Sequence, residues 1–353
     1  MNIDVKPTAP AAEERMIPAS AREHLLTVLF GLWMTVGLFL DGYFHQNLDG
    51  DSESFLTPWH GVFYSGFVAS ALWLATMSRR RAGPLADWRL RFLPPGYAGA
   101  RLGVVLFGLG GIGDAAWHTS FGVERGVDAL LSPTHLVLFV GLVLILTAPI
   151  RAARAVPESA PSPWMLVGSL TSAAALVGFF LNFAWGLGVS AVARVPYDPI
   201  SEAGEIEVIA GVASTLVTTV VLFGSARLVL RSKHVPAGAF TVLFGVVALL
   251  VSVAFDEDAE GVVAAVLTGA ALDALVRARR GPSPERGELA LTFGAVAAGL
   301  WLAYFGLLAV LDGIEWQAEI WLGAVVLNGL TAYVLSAVVP LHDEPASAAQ
   351  RSS

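Results

Sequence analysis

Two stretches of the sequence bring aspartate and histidine together at a repeated spacing. In the second of them, Asp114 and His118 are four residues apart, so on a helix their side chains share one face. Ser132 and Pro133 then form a helix-start signal, which places His135 in the first turn of the next helix. One carboxylate and two imidazoles can therefore converge where two antiparallel helices join. Such a set with open coordination positions is typical of oxygen-activating iron sites and also suits copper or zinc.

The same order of residue types occurs earlier in the chain. Asp41 and His45 are again four residues apart, and after a loop Thr57 and Pro58 precede His60. Four of the seven histidines therefore lie in two sets with one common pattern. This repetition favours duplication of an Asp/His helix hairpin over chance.

The composition indicates that both sets lie in a membrane protein. Of the 353 residues, 55% are hydrophobic and only 14% are charged, and the mean hydropathy is +0.66. A soluble domain has about 25% charged residues, and about 20 apolar residues suffice to cross a bilayer as a helix. The sequence therefore predicts an all-α, polytopic helical bundle in the lipid bilayer of the cell membrane, with about ten transmembrane helices. The predicted segments are 24–44, 60–78, 101–118, 135–150, 163–187, 205–230, 236–255, 259–277, 287–311 and 317–339.

The distribution of basic residues predicts the orientation of these segments. All of the 21 Lys and Arg residues except Arg125 and Arg194 lie in the termini or around the connections that follow even-numbered segments. Because basic residues concentrate on the cytoplasmic side, both termini are expected in the cytoplasm. Both Asp/His sets are then expected near the outer membrane surface.

One transmembrane domain is expected to account for most of the chain. It covers residues 23–341 and contains the two hairpins that carry the Asp/His sets, at 23–78 and 101–150. The flanking segments, 1–22 and 342–353, are predicted to be cytoplasmic tails without regular structure.

Other features of the sequence exclude or weaken several kinds of site. The chain has no cysteine, which rules out disulfides, iron–sulfur clusters and thiolate metal sites. The run from Gly108 to Gly113 matches a dinucleotide-binding pattern but lies inside an apolar segment, so its glycines are interpreted as helix contacts. The acidic run from Asp256 to Glu260 is expected to be a solvated loop. No nucleic-acid partner is expected.

The residues from Asp114 to Gly141 resemble part of the C subunit of copper membrane monooxygenases. Both have Asp-x-x-x-His, a polar loop, Ser/Thr-Pro-x-His and then an apolar run through Leu-Phe to Gly. The resemblance implies a copper site in the membrane region with Asp114, His118 and His135 as ligands and Trp117 as a packing neighbour. It also implies oxidation of a small apolar substrate with dioxygen.

The same family places a further Asn and a further His in the next span. Asn182 corresponds to that Asn and is a candidate additional ligand, but no histidine lies between His135 and His234. The earlier Asp/His set is therefore the alternative source of a second metal site. The sequence leaves open whether the two sets form separate sites or one dinuclear centre.

Three functions are open at this point. The first is a copper protein of oxygenase type, with Tyr64, Trp117 and Trp185 around an apolar cavity and with partner subunits or a membrane quinol as the electron donor. The second is a metal ion carrier or transporter that collects cations at its acidic outer loops. The third is a non-catalytic subunit whose metals hold helix ends together. Iron or zinc could replace copper at such ligands.

A single introduced cysteine tests the orientation, because the chain has none of its own. Gly122 lies in a predicted outer loop, so Gly122→Cys should react with a membrane-impermeant maleimide in intact cells. Ser232→Cys, in a predicted inner loop, should react only after the membrane is permeabilised. Labelling of Ser232→Cys but not of Gly122→Cys in intact cells would reverse the orientation.

Overall fold

The computed structural model describes residues 17–47, 57–82, 92–122, 126–188, 193–194, 196–198, 200–232, 234–279 and 286–338. Residues 1–16 of the predicted N-terminal tail and the whole predicted C-terminal tail lie outside these ranges. Within them the regular structure is helical throughout and contains no strand. The α-helices are α1 (Ala21–Asn47), α2 (Pro58–Ala82), α3 (Ala98–Phe121), α4 (Val127–Leu131), α5 (Pro133–Leu146), α6 (Ala148–Ala155), α7 (Pro163–Phe180), α8 (Glu202–Val229), α9 (Ala239–Phe255), α10 (Ala259–Ala278), α11 (Arg286–Leu311) and α12 (Ala318–Val338).

The predicted all-α membrane bundle is confirmed. In the described part of the chain, eight helices are long and apolar enough to cross a membrane, and α5 and α6 pass the same test as a bent pair. Helix α9 is a shorter apolar helix. Each of the ten predicted segments therefore coincides with a helix or with this bent pair. The side of the membrane that each end faces stays a prediction.

Two segments depart from the straight spans that were predicted. The segment 135–150 bends by 43° between α5 and α6. Pro149 lies at the start of α6, and proline cannot donate the backbone hydrogen bond that would continue α5. The segment predicted to run to residue 187 ends its α-helix at Phe180. It continues as two 3-10 turns, Asn182–Ala184 and Gly186–Gly188.

The early end of α7 is explained by close packing of Gly186 on α8. The Gly186 N–H donates to Thr218 Oγ1 at 2.7 Å. A β-carbon on Gly186 would lie 2.5 Å from Thr215 Cα, so only glycine allows the backbones to approach this closely. Tertiary contact therefore replaces the last helical turn here.

The core of the bundle is centred on α9. Its residues Phe240, Leu243, Phe244, Val247 and Val251 are fully buried, and the helix packs against α1, α7, α8 and α10. Most of the α9 surface therefore contacts protein, and Val242, Leu249 and Val253 form its exposed apolar face. The 17 residues of α9 lie at the short end of the range of about 17–25 residues that a membrane span needs.

Two helical hairpins, α1–α2 and α3–α5, lie side by side in the N-terminal half. Phe107 of α3 packs against three aromatic rings of α2, with centroid distances of 5.4 Å to Phe63, 5.8 Å to Tyr64 and 4.5 Å to Phe67. Both hairpins have their turns at the same end of the bundle. This arrangement brings both Asp/His sets to one end.

Glycines allow α3 and α5 to come into close contact. A β-carbon on Gly141 would lie 2.8 Å from Phe107 N and 2.9 Å from Gly103 O. Likewise, a β-carbon on Gly110 would lie 3.1 Å from Leu138 Cδ2. The glycine-rich run of α3 thus serves helix packing, as the sequence predicted.

Substitution of Gly141 should loosen this helix pair. Gly141→Ala inserts a methyl group against backbone atoms, and such overpacking typically costs about 1–3 kcal/mol of unfolding free energy. The matched control is Gly108→Ala, because its β-carbon would meet only Phe67 Cζ at 3.7 Å. Denaturant unfolding of both variants in detergent measures the difference. Equal stability of the two variants would contradict the packing described here.

Candidate metal centre

Asp114, His118 and His135 converge where α3 ends and α5 begins. Asp114 Oδ1 lies 3.6 Å from His118 Nε2 and 3.1 Å from His135 Nε2. Each residue offers one ligand atom, and these three atoms lie within 4.8 Å of one another. Tetrahedral metal bonds of about 2.0–2.2 Å place neighbouring ligand atoms about 3.3–3.6 Å apart, close to the two distances from Asp114 Oδ1. This set, called the α3–α5 triad below, therefore has the geometry to hold one metal ion.

Backbone carbonyls orient both imidazoles of the α3–α5 triad. His118 Nδ1 donates to Gly122 O at 3.3 Å, and His135 Nδ1 donates to Ala129 O. Because a carbonyl only accepts hydrogen bonds, each Nδ1 carries the proton and each Nε2 keeps its lone pair. Both lone pairs then face Asp114. Metal-binding histidines in proteins are commonly held in this way.

Thr134 adds a contact that the sequence reasoning missed. Its hydroxyl donates to Asp114 Oδ1 at 2.9 Å, and Asp114 is only 1% exposed. The predicted helix start is also present, because Ser132 caps α5 by accepting from the His135 N–H at 3.4 Å. With Pro133 in the first turn, Thr134 is directed toward α3. In the sequence, the hydroxyl residue directly before His135 was the signal for this contact.

Asp41, His45 and His60 converge in the same way between α1 and α2. Asp41 Oδ1 lies 3.6 Å from both His45 Nε2 and His60 Nδ1, and the three ligand atoms lie within 4.8 Å of one another. Asp41 is 9% exposed, and among the described residues its buried Oδ1 has no hydrogen-bond partner. A buried carboxylate oxygen without a partner is costly. A cation in this set, called the α1–α2 triad below, would compensate it.

The two triads present their histidines differently. His60 turns Nδ1 toward Asp41, and the same nitrogen lies 2.9 Å from Thr57 Oγ1. Thr57 also caps α2 by accepting from the His60 N–H at 3.2 Å. A metal at His60 Nδ1 would have to replace the contact with the Thr57 hydroxyl. In the α3–α5 triad both Nε2 atoms already face Asp114, so this triad would need less rearrangement to bind a metal ion.

Tyr64 lies at the boundary between the two triads. Its ring stacks on His60 with centroids 6.1 Å apart. On its other side it contacts α3, where a β-carbon on Gly111 would lie 2.9 Å from Tyr64 Cε1. Gly111 is one helical turn before Asp114. The two triads are therefore separate but neighbouring sets, and the charge of Asp114 acts on Asp41.

An aromatic stack, which the sequence analysis did not single out, joins the helix ends of the α1–α2 triad. Phe44 and Trp59 lie face to face, with ring centroids 3.6 Å apart and planes 16° from parallel. Each ring directly precedes a histidine of the triad in the sequence. The stack therefore brings His45 and His60 toward each other. The aromatic residue before each histidine was the signal for it.

Other residues singled out in the sequence have different surroundings. Trp117 packs on Phe121 of its own helix, with centroids 4.6 Å apart. Trp185 is buried near Gly178 of α7. Asn182 begins the 3-10 turn after α7, and its role as an additional ligand stays a prediction.

The acidic corner between α9 and α10 is less exposed than predicted. The Glu257 carboxylate packs against Gly188, and burial, together with nearby Asp258 and Asp256, raises the pKa of Glu257 to about 7. Arg194 binds Asp258 and Asp312 at 2.8 Å each. Within this run Asp256 is exposed, whereas Glu257 packs against the 3-10 turn at Gly188 and Asp258 is paired with Arg194.

Comparison with known proteins finds no match among protein-family models, curated proteins or solved structures. The resemblance to the C subunit of copper membrane monooxygenases rests on residues 114–141 and stays a hypothesis. The chemistry of the triads is inferred below from their ligands and surroundings.

Thr134 supplies a sharp test of the α3–α5 triad. Thr134→Val keeps the side-chain shape but removes the hydrogen bond to Asp114, and loss of such outer contacts typically weakens metal binding about 10- to 100-fold. Thr119→Val is the matched control, because that exposed hydroxyl bonds only a carbonyl of its own helix, Ala115 O. Chelator competition on the full chain measures both affinities. Equal affinities would exclude a role for Thr134 at the metal.

Proposed function

We propose that this chain is a multi-pass membrane protein that binds two transition-metal ions, one in each triad. The observation that carries the proposal is the twofold convergence of one carboxylate and two imidazoles, each set within 4.8 Å. The buried Oδ1 of Asp41, which lacks a hydrogen-bond partner within the described part of the chain, supports a cation at the α1–α2 triad. The carbonyl-held imidazoles support one at the α3–α5 triad.

Copper is the metal that we propose for both triads. Imidazole and carboxylate ligands also suit iron and zinc, and the resemblance to the copper-binding C subunit favours copper among the three. Each triad supplies three protein ligands, whereas structural zinc sites are closed by four. The remaining coordination positions are then available to a small molecule such as dioxygen.

We infer an oxygenase reaction at this end of the bundle. Bound copper would supply the activation of dioxygen. The protein's own residues hold the imidazoles in place, and Phe63, Phe107 and Leu138 form a buried apolar layer one to two helical turns below the triads, which suits a small apolar substrate. Hydroxylation places one oxygen atom in the product and reduces the other to water. The two electrons required would come from a quinol or a partner subunit.

Transport of the metal is the less favoured alternative. A cation path through the membrane requires polar groups at successive depths. Among the described residues of α1–α3 and α5, the buried side chains below the triads are largely apolar, including Leu38, Phe39, Phe107, Leu138 and Leu142. These residues favour metal retention at the end of the bundle over passage through it.

Metal analysis of histidine variants tests the binding proposal. The detergent-purified full chain should hold two copper ions, with His118→Ala or His135→Ala losing one and His45→Ala or His60→Ala losing the other. Asp128→Asn is the control, because Asp128 is an exposed acid near the α3–α5 triad and should leave both ions bound. Copper EPR of each variant assigns the remaining signal to a triad. Unchanged copper content in all four histidine variants would refute the proposal.

A separate measurement tests the oxygenase reaction. Copper-loaded protein supplied with a quinol and short alkanes should consume dioxygen and form alcohols, and His118→Ala should abolish both. Stable copper binding without substrate-dependent oxygen uptake would leave the non-catalytic role, in which the metals join helix ends.

A further inference from the structure

A pocket with basic groups and an apolar lining lies at the end of the bundle opposite the triads. It has a volume of about 120 Å³ and opens between α6, the start of α7, the end of α8 and the turn before α9. Arg154, Arg231 and His234 are the ionisable residues that line it. The apolar lining consists chiefly of Ile150, Leu166, Val167, Leu170, Leu228 and Val229.

The course of the helices places this pocket at a membrane surface. Helix α5 begins at the α3–α5 triad and leads into α6, so the pocket lies at the far end of that path. Trp164, next to the pocket residue Pro163, is an exposed aromatic residue at the start of α7. Tryptophan is enriched at the level of the lipid headgroups. The pocket is therefore expected at headgroup depth.

The charges in the pocket select an anion. The three ionisable residues in its lining are all basic, and Arg154 and His234 are exposed. Arginine suits phosphate because its planar guanidinium can donate two parallel hydrogen bonds. The apolar lining would gain nothing from a small inorganic ion, but it would be covered by the hydrocarbon of an amphiphile.

We propose that this pocket binds the headgroup region of an anionic phospholipid. The lipid phosphate is held by Arg154 and Arg231, with His234 at the rim, and the first hydrocarbon groups lie on Leu166 and Leu170. Pockets for whole drug-sized molecules are about 300–1,000 Å³, so this smaller pocket holds one end of the lipid while its chains extend into the bilayer. The predicted orientation assigns the pocket to the cytoplasmic leaflet, where anionic lipids attract basic residues.

Lipid binding to the full chain in detergent tests this proposal. Native mass spectrometry should detect phosphatidylglycerol in preference to phosphatidylcholine of the same chain length. Arg154→Gln should weaken phosphatidylglycerol binding about fivefold, as expected for one basic residue near a membrane surface, and Arg154→Lys should retain most of it. The matched control is Arg101→Gln, because Arg101 is an exposed arginine at the same end of the bundle and outside the pocket.

Three outcomes would overturn the lipid proposal. They are equal binding of the two lipids, equal losses in Arg154→Gln and Arg101→Gln, and displacement of the lipid by inorganic phosphate at comparable concentration. The last outcome would indicate a site for free anions. Copper content measured on the same samples separates this proposal from the metal sites, because Arg154→Gln should leave both ions bound.

Discussion

A carboxylate buried among membrane helices is stable only when neighbouring groups compensate its charge. Asp114 meets this constraint only in part, because the Thr134 hydroxyl donates to it while the two imidazoles turn their Nε2 lone pairs toward it. Asp41 meets it less completely, because its Oδ1 lacks a hydrogen-bond partner among the residues that the structure describes. In both triads the carboxylate lies beside histidines from two helices, so the packing of each hairpin decides which groups surround its charge. A cation bound among the imidazoles would compensate the charge of either carboxylate.

The packing of the hairpins explains why the triads are neighbours. Phe107 holds α3 against the aromatic residues of α2, and Tyr64 extends from His60 to the surface of α3 at Gly111. Close contact between Gly103 and Gly141 in turn holds α3 on α5. The two triads nevertheless differ in the contact that their threonine makes. Thr134 donates to the carboxylate of Asp114, whereas Thr57 contacts His60 Nδ1, the nitrogen that faces Asp41.

Buried polar side chains join three helices of the C-terminal half. Asn328 accepts from Thr219 at 2.6 Å and donates to Thr215 at 2.7 Å, and Trp301 donates to Thr219 at 2.7 Å. Such a network joins α8, α11 and α12 without a ligand. The described part of the bundle therefore has the two Asp/His triads at one end and the basic pocket at the other, with an apolar core around α9 between them.

The sequence alone determined the features that depend on neighbours within one helix. The four-residue spacing of Asp and His, the hydroxyl–proline helix starts and the apolar lengths predicted the ligand sets and the all-α bundle, because such patterns act over one or two turns. Only the tertiary structure decided the early end of α7, the proximity of the two triads and the contact of Thr134 with Asp114. These features depend on helices that are distant in the sequence, and spacing along the chain does not specify which faces of those helices meet.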